Sequence, residues 1–213
     1  MITLYHAFNA RSFRALWALE ALGVDYELKM LPFPPRVLAR DYLAINPLGT
    51  IPCLIEGDLK MTESAAIAQY VADRHGLGSL GVAPHEPDYG AYLNWLHFGE
   101  ATLTFPQTLV LRYRRFEPGR DTVAADDYAK WFLARTRAVG ASLDKGYICA
   151  GRFTAADISM CYAFMLANHV GLGDDLSEPA KAYWARLQQE PSLAKARAAQ
   201  AAAADAQGVA QTW

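Results

Sequence analysis

The sequence predicts an α/β domain with a mixed sheet, followed by an all-α helical domain. Three observations carry this. Strand and helix patterns alternate through the first 75 or so residues, a Gly/Pro-rich stretch "GLGSLGVAPHEP" interrupts them, and only helical periodicity follows. The domain boundaries expected are 1–76, a linker at 77–87, and 88–213.

Each element has its own signal. "MITLYHA" reads as a short strand ended by "FNA". From Ser12, the apolar positions Phe13, Leu16, Trp17, Leu19 and Ala21 form a helical face, and Gly23 ends it. "VDYELKML" alternates as a second strand, and "PFPP" breaks the chain before "RVLARDYLAI", a short helix. "CLIE" and "LKM" form a hairpin around Gly57-Asp58, and Ser64 to His75 is helical with Ile67, Ala68, Val71 and Ala72 inward. A crossover makes the first two strands parallel, whereas the tight hairpin makes the last two antiparallel. Helices are expected over 88–115, 123–144, 154–169, 178–189 and 192–204, packed as a bundle. The alanine-rich end "AQAAAADAQGVAQTW" is expected to fray, with Trp213 able to fold back.

Composition narrows the function. The chain has 213 residues, 53% hydrophobic, with a net charge of −2 and no basic stripe interleaved with aromatics, which argues against nucleic acid as a partner. No apolar run is long enough to span a membrane, and "MITLYHAFNARSF" lacks the pattern of a signal peptide, so a cytoplasmic location is expected. The three cysteines, Cys53, Cys149 and Cys161, make no Cys-x-x-Cys pair and read as packed thiols. The five histidines make no ligand pair, so no metal is expected.

Two segments point to chemistry. In "NPLGTIPCLIEGDLKMTES" Pro52 cannot donate to a sheet ladder, so it belongs at a strand start or edge. The backbone N–H and C=O of Ile51 would then be open to an extended peptide. Glu63 and Ser64 begin a helix, whose first N–H groups suit a carboxylate. In "GRFTAADISMCYAF" Thr154 and Asp157 have the spacing of a capping box, flanked by Phe153 and Ile158 as a staple. That box belongs to the folding of a core helix.

"NPLGTIPCLIEGDLKMTESAAIAQYVADRHG", with "RSFRALWALEALGVDYE" and "GRFTAADISMCYAF", resembles the cytosolic glutathione transferases over most of the chain. The resemblance implies a thioredoxin-like first domain, a helical second domain, a cis Pro52, glutathione as co-substrate and, usually, a homodimer. It implies that Ile51 and Pro52 hold the cysteinyl backbone and that Glu63 and Ser64 hold the γ-glutamyl end. Arg36 or Arg40 is the candidate cation for the glycine carboxylate, and Glu100 the candidate acid reaching the γ-glutamyl amine from the partner subunit. Phe8, Thr104 and Thr108 are expected to line the electrophile pocket, and Pro106 to bend its helix.

One position departs from the family. The slot that holds Ser in a common family form is Ala10, and the Cys-type slot holds Arg11. Tyr5 lies inside the strand and reads as core. Asn9 (by its amide), Ser12 (by its hydroxyl) and Arg11 (by its charge) remain as the groups that could stabilise a thiolate. The function expected is addition of the glutathione thiolate to small apolar electrophiles. The alternatives are a glutathione-dependent peroxidase or disulfide reductase, or a binding protein of the same fold that does no chemistry.

Overall fold

The structure is a computed structural model, and it describes residues 1–143 and 145–211. It divides into two compact units, Met1–Leu80 with Glu190–Trp213, and Gly81–Gln189. This corrects the expected boundaries: the last helix belongs with the first unit, not with the helical domain.

In the first unit β1 (Ile2–His6), β2 (Tyr26–Met30), β3 (Cys53–Glu56) and β4 (Leu59–Met61) form one sheet in the order β2-β1-β3-β4. β1 and β2 are parallel, with Leu4 beside Leu28, and the other pairs are antiparallel, as the crossover and hairpin require. Residues alternate across β1, so Ile2, Leu4 and His6 are buried while Thr3 and Tyr5 are half-exposed. The helices α1 (Phe13–Leu22) and α3 (Ser64–His75) pack together. Trp17 of α1 is fully buried, and so are Ile67, Ala68, Val71 and Ala72 of α3. The segment expected as one short helix at 36–45 is instead α2 (Pro35–Leu38) and a tighter 3₁₀ turn, Arg40–Ala44. Its Tyr42 reaches back over the sheet, against Tyr5, at 5.3 Å between ring centroids.

The second unit is entirely helical, from α4 (Tyr89–His97) through α5 (Phe105–Leu111), α6 (Thr122–Thr136), α7 (Ala138–Ser142) and α8 (Ala155–His169) to α9 (Glu178–Leu187). The helix expected over 123–144 is thus two pieces, and residue 144 lies outside the described residues. Every residue of α8 from Ala155 to Phe164 is buried, so α8 is the core element. Helix α4 runs into α5 through a widened stretch, Phe98–Thr104, where the Phe105 N–H bonds the Glu100 carbonyl five residues back. Pro106 has no N–H to continue the ordinary ladder, which accounts for the disruption there. Gly99 sits where α8 crosses: a Cβ on it would lie 2.5 Å from the Ser159 hydroxyl and 2.7 Å from the Ser159 carbonyl carbon.

The capping box starts α8 as its spacing predicts. The Asp157 carboxylate accepts the Thr154 N–H at 2.8 Å, the Ile148 N–H at 3.0 Å and the Tyr183 hydroxyl at 2.6 Å. Burial pushes this carboxyl up to about 6, against the pull of those hydrogen bonds. Cys53, Cys149 and Cys161 are buried free thiols, as expected.

The last helix, α10 (Pro191–Gln207), is ordered to its end and packs on α1 and β2, where fraying was expected. Its buried stripe is Leu193, Ala196, Gln200 and Ala204, and the two alanines permit close approach. Trp17 Nε1 donates to Ser192 Oγ at 2.8 Å. Gln207 brackets the outer edge of β2, accepting the Met30 N–H and donating to the Leu28 carbonyl, both at 2.8 Å. It satisfies edge groups that the sheet leaves open. Trp213 lies outside the described residues.

Replacing Thr154 by Ala should lower the unfolding free energy by about 1–2 kcal/mol, measured as a drop in urea midpoint at unchanged slope. An unchanged midpoint would show that the box does not hold α8.

Candidate active site

The site begins with the turn Asn-Pro-Leu-Gly. Asn46, only 2% exposed, donates through Nδ2 to the Thr50 carbonyl at 2.9 Å and accepts the Leu48 N–H at 3.2 Å. The Tyr42 hydroxyl donates to the same Thr50 carbonyl at 2.7 Å. Gly49 has φ +61, and a Cβ there would meet Arg36 Cβ at 2.6 Å, so only glycine suits both the backbone and the space. This pinned turn delivers the chain to Ile51, whose bond to Pro52 is cis. The β1–β3 ladder stops at Tyr5 beside Cys53. The N–H and C=O of Ile51 have no hydrogen-bond partner among the described residues.

Ile51 is packed with Ala7, Ala10, Tyr42 and Cys53 in one buried cluster, which sets the β1–α1 loop beside it. Ala10, in the slot where the family often has Ser, is therefore a buried methyl group. Burial raises the Cys53 thiol, consistent with a packed rather than a reactive cysteine. Glu63 is exposed and precedes α3 with its carbonyl accepting the Ile67 N–H at 2.8 Å. Ser64, the first residue of α3, is buried and accepts from the fully buried Arg14 guanidinium at 3.2 Å. Arg14 ties the start of α1's side of the site to the start of α3.

The loop between β1 and α1 is held by polar groups that pattern reasoning missed. His6 is fully buried, with Nδ1 at 2.6 Å from Ser12 Oγ and Nε2 at 3.0 Å from Gln200 Oε1. Asn9 adopts a left-handed backbone, φ +54, which Asn tolerates better than most side chains. Its backbone N–H donates to Gln200 Oε1 at 3.0 Å, and its side-chain Oδ1 accepts from Gln200 Nε2 at 2.7 Å. Burial drives the His6 ring down to about 4, so it is neutral near pH 7. Ser12 is itself buried, and its oxygen also accepts the Ala7 N–H at 3.3 Å. Its hydroxyl is thus committed inside the loop.

The remaining expected residues are dispersed. Phe8, Asn9 and Arg11 are half-buried, and Arg36 and Arg40 are exposed on α2 and the turn after it. Arg40 borders an open groove of about 590 Å³ with Leu38, Asp41 and Tyr42. Glu100, Thr104 and Thr108 belong to the second unit. Thr104 is buried and donates to the Gly99 carbonyl, and Thr108 donates to the Phe105 carbonyl, each at 2.7 Å. Both hydroxyls are therefore spent on their own helix, and only Thr108 of the two keeps some exposure.

Comparison with known proteins finds glutathione transferases of this fold. The family model described as "Glutathione S-transferase, N-terminal domain" matches residues 1–73. Glutathione S-transferase 3 of Schizosaccharomyces pombe is 29% identical over 193 residues, covering 79% of this chain and 75% of its own. Glutathione S-transferase GstA of Escherichia coli O157:H7 is 27% identical over 200 residues, covering 92% of this chain and 98% of its own. Among solved structures, the glutathione transferase URE2P6 of Phanerochaete chrysosporium, in complex with oxidized glutathione, superposes with a TM-score of 0.80 at 26% identity, over 95% of this chain and 97% of that one. Residues 1–73 thus match the N-terminal domain of the glutathione S-transferases, and the chain is similar to such proteins over most of its length.

Two buried groups, His6 and Asp157, oppose one another with pH. His6, lower in the folded protein than its ordinary 6.5, protonates first in the unfolded chain. Its contribution, about 3 kcal/mol at full extent, is complete above pH 6.5 and drains away towards pH 4. Asp157, higher in the folded protein, works the other way: lowering the pH through 6 favours the fold. Global stability thus mixes the two, and His6 should be read directly. Its ring nitrogens should report a neutral ring protonated at Nε2 from pH 8 down to 5 by ¹⁵N NMR; an imidazolium signal at pH 6 would contradict the burial argument.

Proposed function

We propose that this protein is a glutathione transferase that binds glutathione in its first unit and adds the thiolate to small apolar electrophiles. The observation that carries this is that the N–H and C=O of Ile51 lack a partner among the described residues, beside the loop that holds Asn9. An extended cysteinyl backbone fits such an edge by strand addition. The start of α3, at Glu63 and Ser64, suits the γ-glutamyl carboxylate. Arg36 or Arg40 supplies the cation for the glycine end, and Glu100 of a second copy the acid for the γ-glutamyl amine, which makes a homodimer part of this reading. Detoxification and a cytoplasmic location go with it; no helix among the described residues is long and apolar enough to cross a membrane.

The chemistry needs a thiolate. A cysteine thiol ionises near 8.5, and lowering that by two units takes about 2.7 kcal/mol. The N–H groups of Phe13 and Arg14 at the start of α1 already bond the Ala10 and Arg11 carbonyls, at 2.8 and 3.2 Å. Ser12 is committed to His6. The Asn9 amide is the remaining neutral donor, and one hydrogen bond to a charged group contributes about 1.5–3 kcal/mol. An amide takes no proton, so Asn9 acts by favouring the anion while the thiol proton leaves to water. The sulfur lone pair then forms the C–S bond, and the displaced electron pair leaves with the departing group or passes into the electrophile's conjugated system. Phe8, half-buried in the loop after β1, is the candidate wall for that electrophile within the first unit.

The buried Ala10 methyl favours a second reading, a protein that holds glutathione without activating it. Titrating the thiolate absorbance of bound glutathione separates the two. Ionisation well below the free value is expected, with Asn9→Ala moving it back by about one unit while affinity changes only a few-fold; no shift on binding would favour the carrier. Ser64→Ala should weaken glutathione binding about tenfold by calorimetry with less effect on the bound thiol's ionisation. Failure of the protein to bind glutathione at all would end both readings.

A further inference from the structure

The amide of Gln200 sits two turns from the β2-bracketing Gln207 on α10, and is 2% exposed. Its orientation follows from what surrounds it. A backbone N–H can only donate, so the Gln200 atom facing Asn9 N must be the oxygen. That oxygen also faces His6 Nε2, which therefore carries the ring proton. The neutral ring then presents a bare Nδ1, which accepts the Ser12 hydroxyl. With its oxygen held by two donors, Gln200 must turn its NH₂ to Asn9, and the Asn9 atom facing it must be Oδ1. Only Asn9 Nδ2 is left over, without a partner among the described residues.

We propose that Gln200 is a positioning residue: it fixes which end of the Asn9 amide is available, so that the NH₂ rather than the oxygen meets the glutathione sulfur. This rests on the reading of Asn9 as the thiolate's donor. An asparagine side chain is nearly symmetric in shape, and a flipped amide would set a carbonyl oxygen against the anion. The His6–Ser12 pair is the rest of the device. A neutral imidazole has one donor and one acceptor, and Ser12 occupies the acceptor, so the donor is aimed at Gln200. Helix α10 thus sets the polarity of a loop nearly two hundred residues away in sequence.

The test is a substitution that keeps the shape and reverses one atom. In Gln200→Glu one carboxylate oxygen still accepts from Asn9 N–H and His6 Nε2–H. The other can only accept, so the Asn9 amide turns over and presents its oxygen. With glutathione bound, the thiol ionisation should rise by about one unit, a roughly tenfold smaller thiolate fraction near neutral pH, with kcat falling in step and KM for glutathione little changed. The added charge could act on the sulfur directly, so the same substitution is made in an Asn9→Ala background. There it should do nothing further. An equal rise in both backgrounds, or none in either, overturns the positioning role while the Asn9 reading stands, provided Asn9→Ala by itself raises the ionisation. If Asn9→Ala leaves the bound thiol unchanged, the Asn9 reading fails and the positioning role with it. A measurement on the unsubstituted protein does not depend on the variants folding. Side-chain amide exchange by NMR should show slow Gln200 NH₂ protons and fast Asn9 NH₂ protons. The reverse order overturns the proposal.

Discussion

A buried amide whose oxygen must serve two donors has one allowed orientation, and the site in the first unit depends on that constraint. Leaving either the His6 Nε2–H or the Asn9 N–H unpaired inside the protein would cost on the order of 1–3 kcal/mol each. Gln200 satisfies both from α10. The consequence spreads outward in a chain of donors and acceptors: the tautomer of His6, the direction of the Ser12 hydroxyl, and the exposed end of Asn9. None of these groups could be reversed alone, because each buried partner would then face its like.

The same economy appears around Ile51. The Asn46 and Tyr42 side chains converge on the Thr50 carbonyl, so the turn before Pro52 is held by side chains and not by the sheet. The sheet ends at Cys53, and the residue before the proline keeps its polar groups open. An edge that is usually a hazard is tolerated here, because it is short and flanked by a buried cluster. In the second unit the corresponding device is Asp157, a buried carboxylate that accepts from the loop before α8, from the Thr154 N–H and hydroxyl at the helix cap, and from Tyr183 of α9. One unit is organised around a buried neutral ring and amide, the other around a buried carboxylate.

Legibility in the sequence followed the range of the interactions. The strands, the hairpin, the turn and the capping box are local: period-two alternation, a Gly-Asp turn, an Asn-Pro-x-Gly run, and Thr and Asp three apart. Each was readable because the residues that decide it are neighbours. The strand start after Pro52 and the helix start at Ser64 were legible for the same reason, since both are marked on the chain itself. Ser12 was misleading. A serine at a helix start usually accepts an N–H of the first turn, but here its hydroxyl donates to His6 and its oxygen accepts the Ala7 N–H. Thr104 and Thr108 have helical spacing on one face, yet each hydroxyl turns back to a carbonyl of its own helix, Gly99 for Thr104 and Phe105 for Thr108.

What the sequence by itself determined, then, is the α/β unit with its mixed sheet, the helical unit, the strand end at Ile51 and the start of α3. These rest on periodicity and on the stereochemistry of Pro, Gly and Asn, which act within a few residues. Only the tertiary structure decided that the alanine-rich end is a helix of the first unit, that Gln207 closes the β2 edge, and that Gln200 meets Asn9 and His6. In sequence, Gln200 is a polar residue among alanines with no partner in view. Small neighbours let α10 come close enough for its amide to reach the loop, and a burial across that distance leaves no local trace.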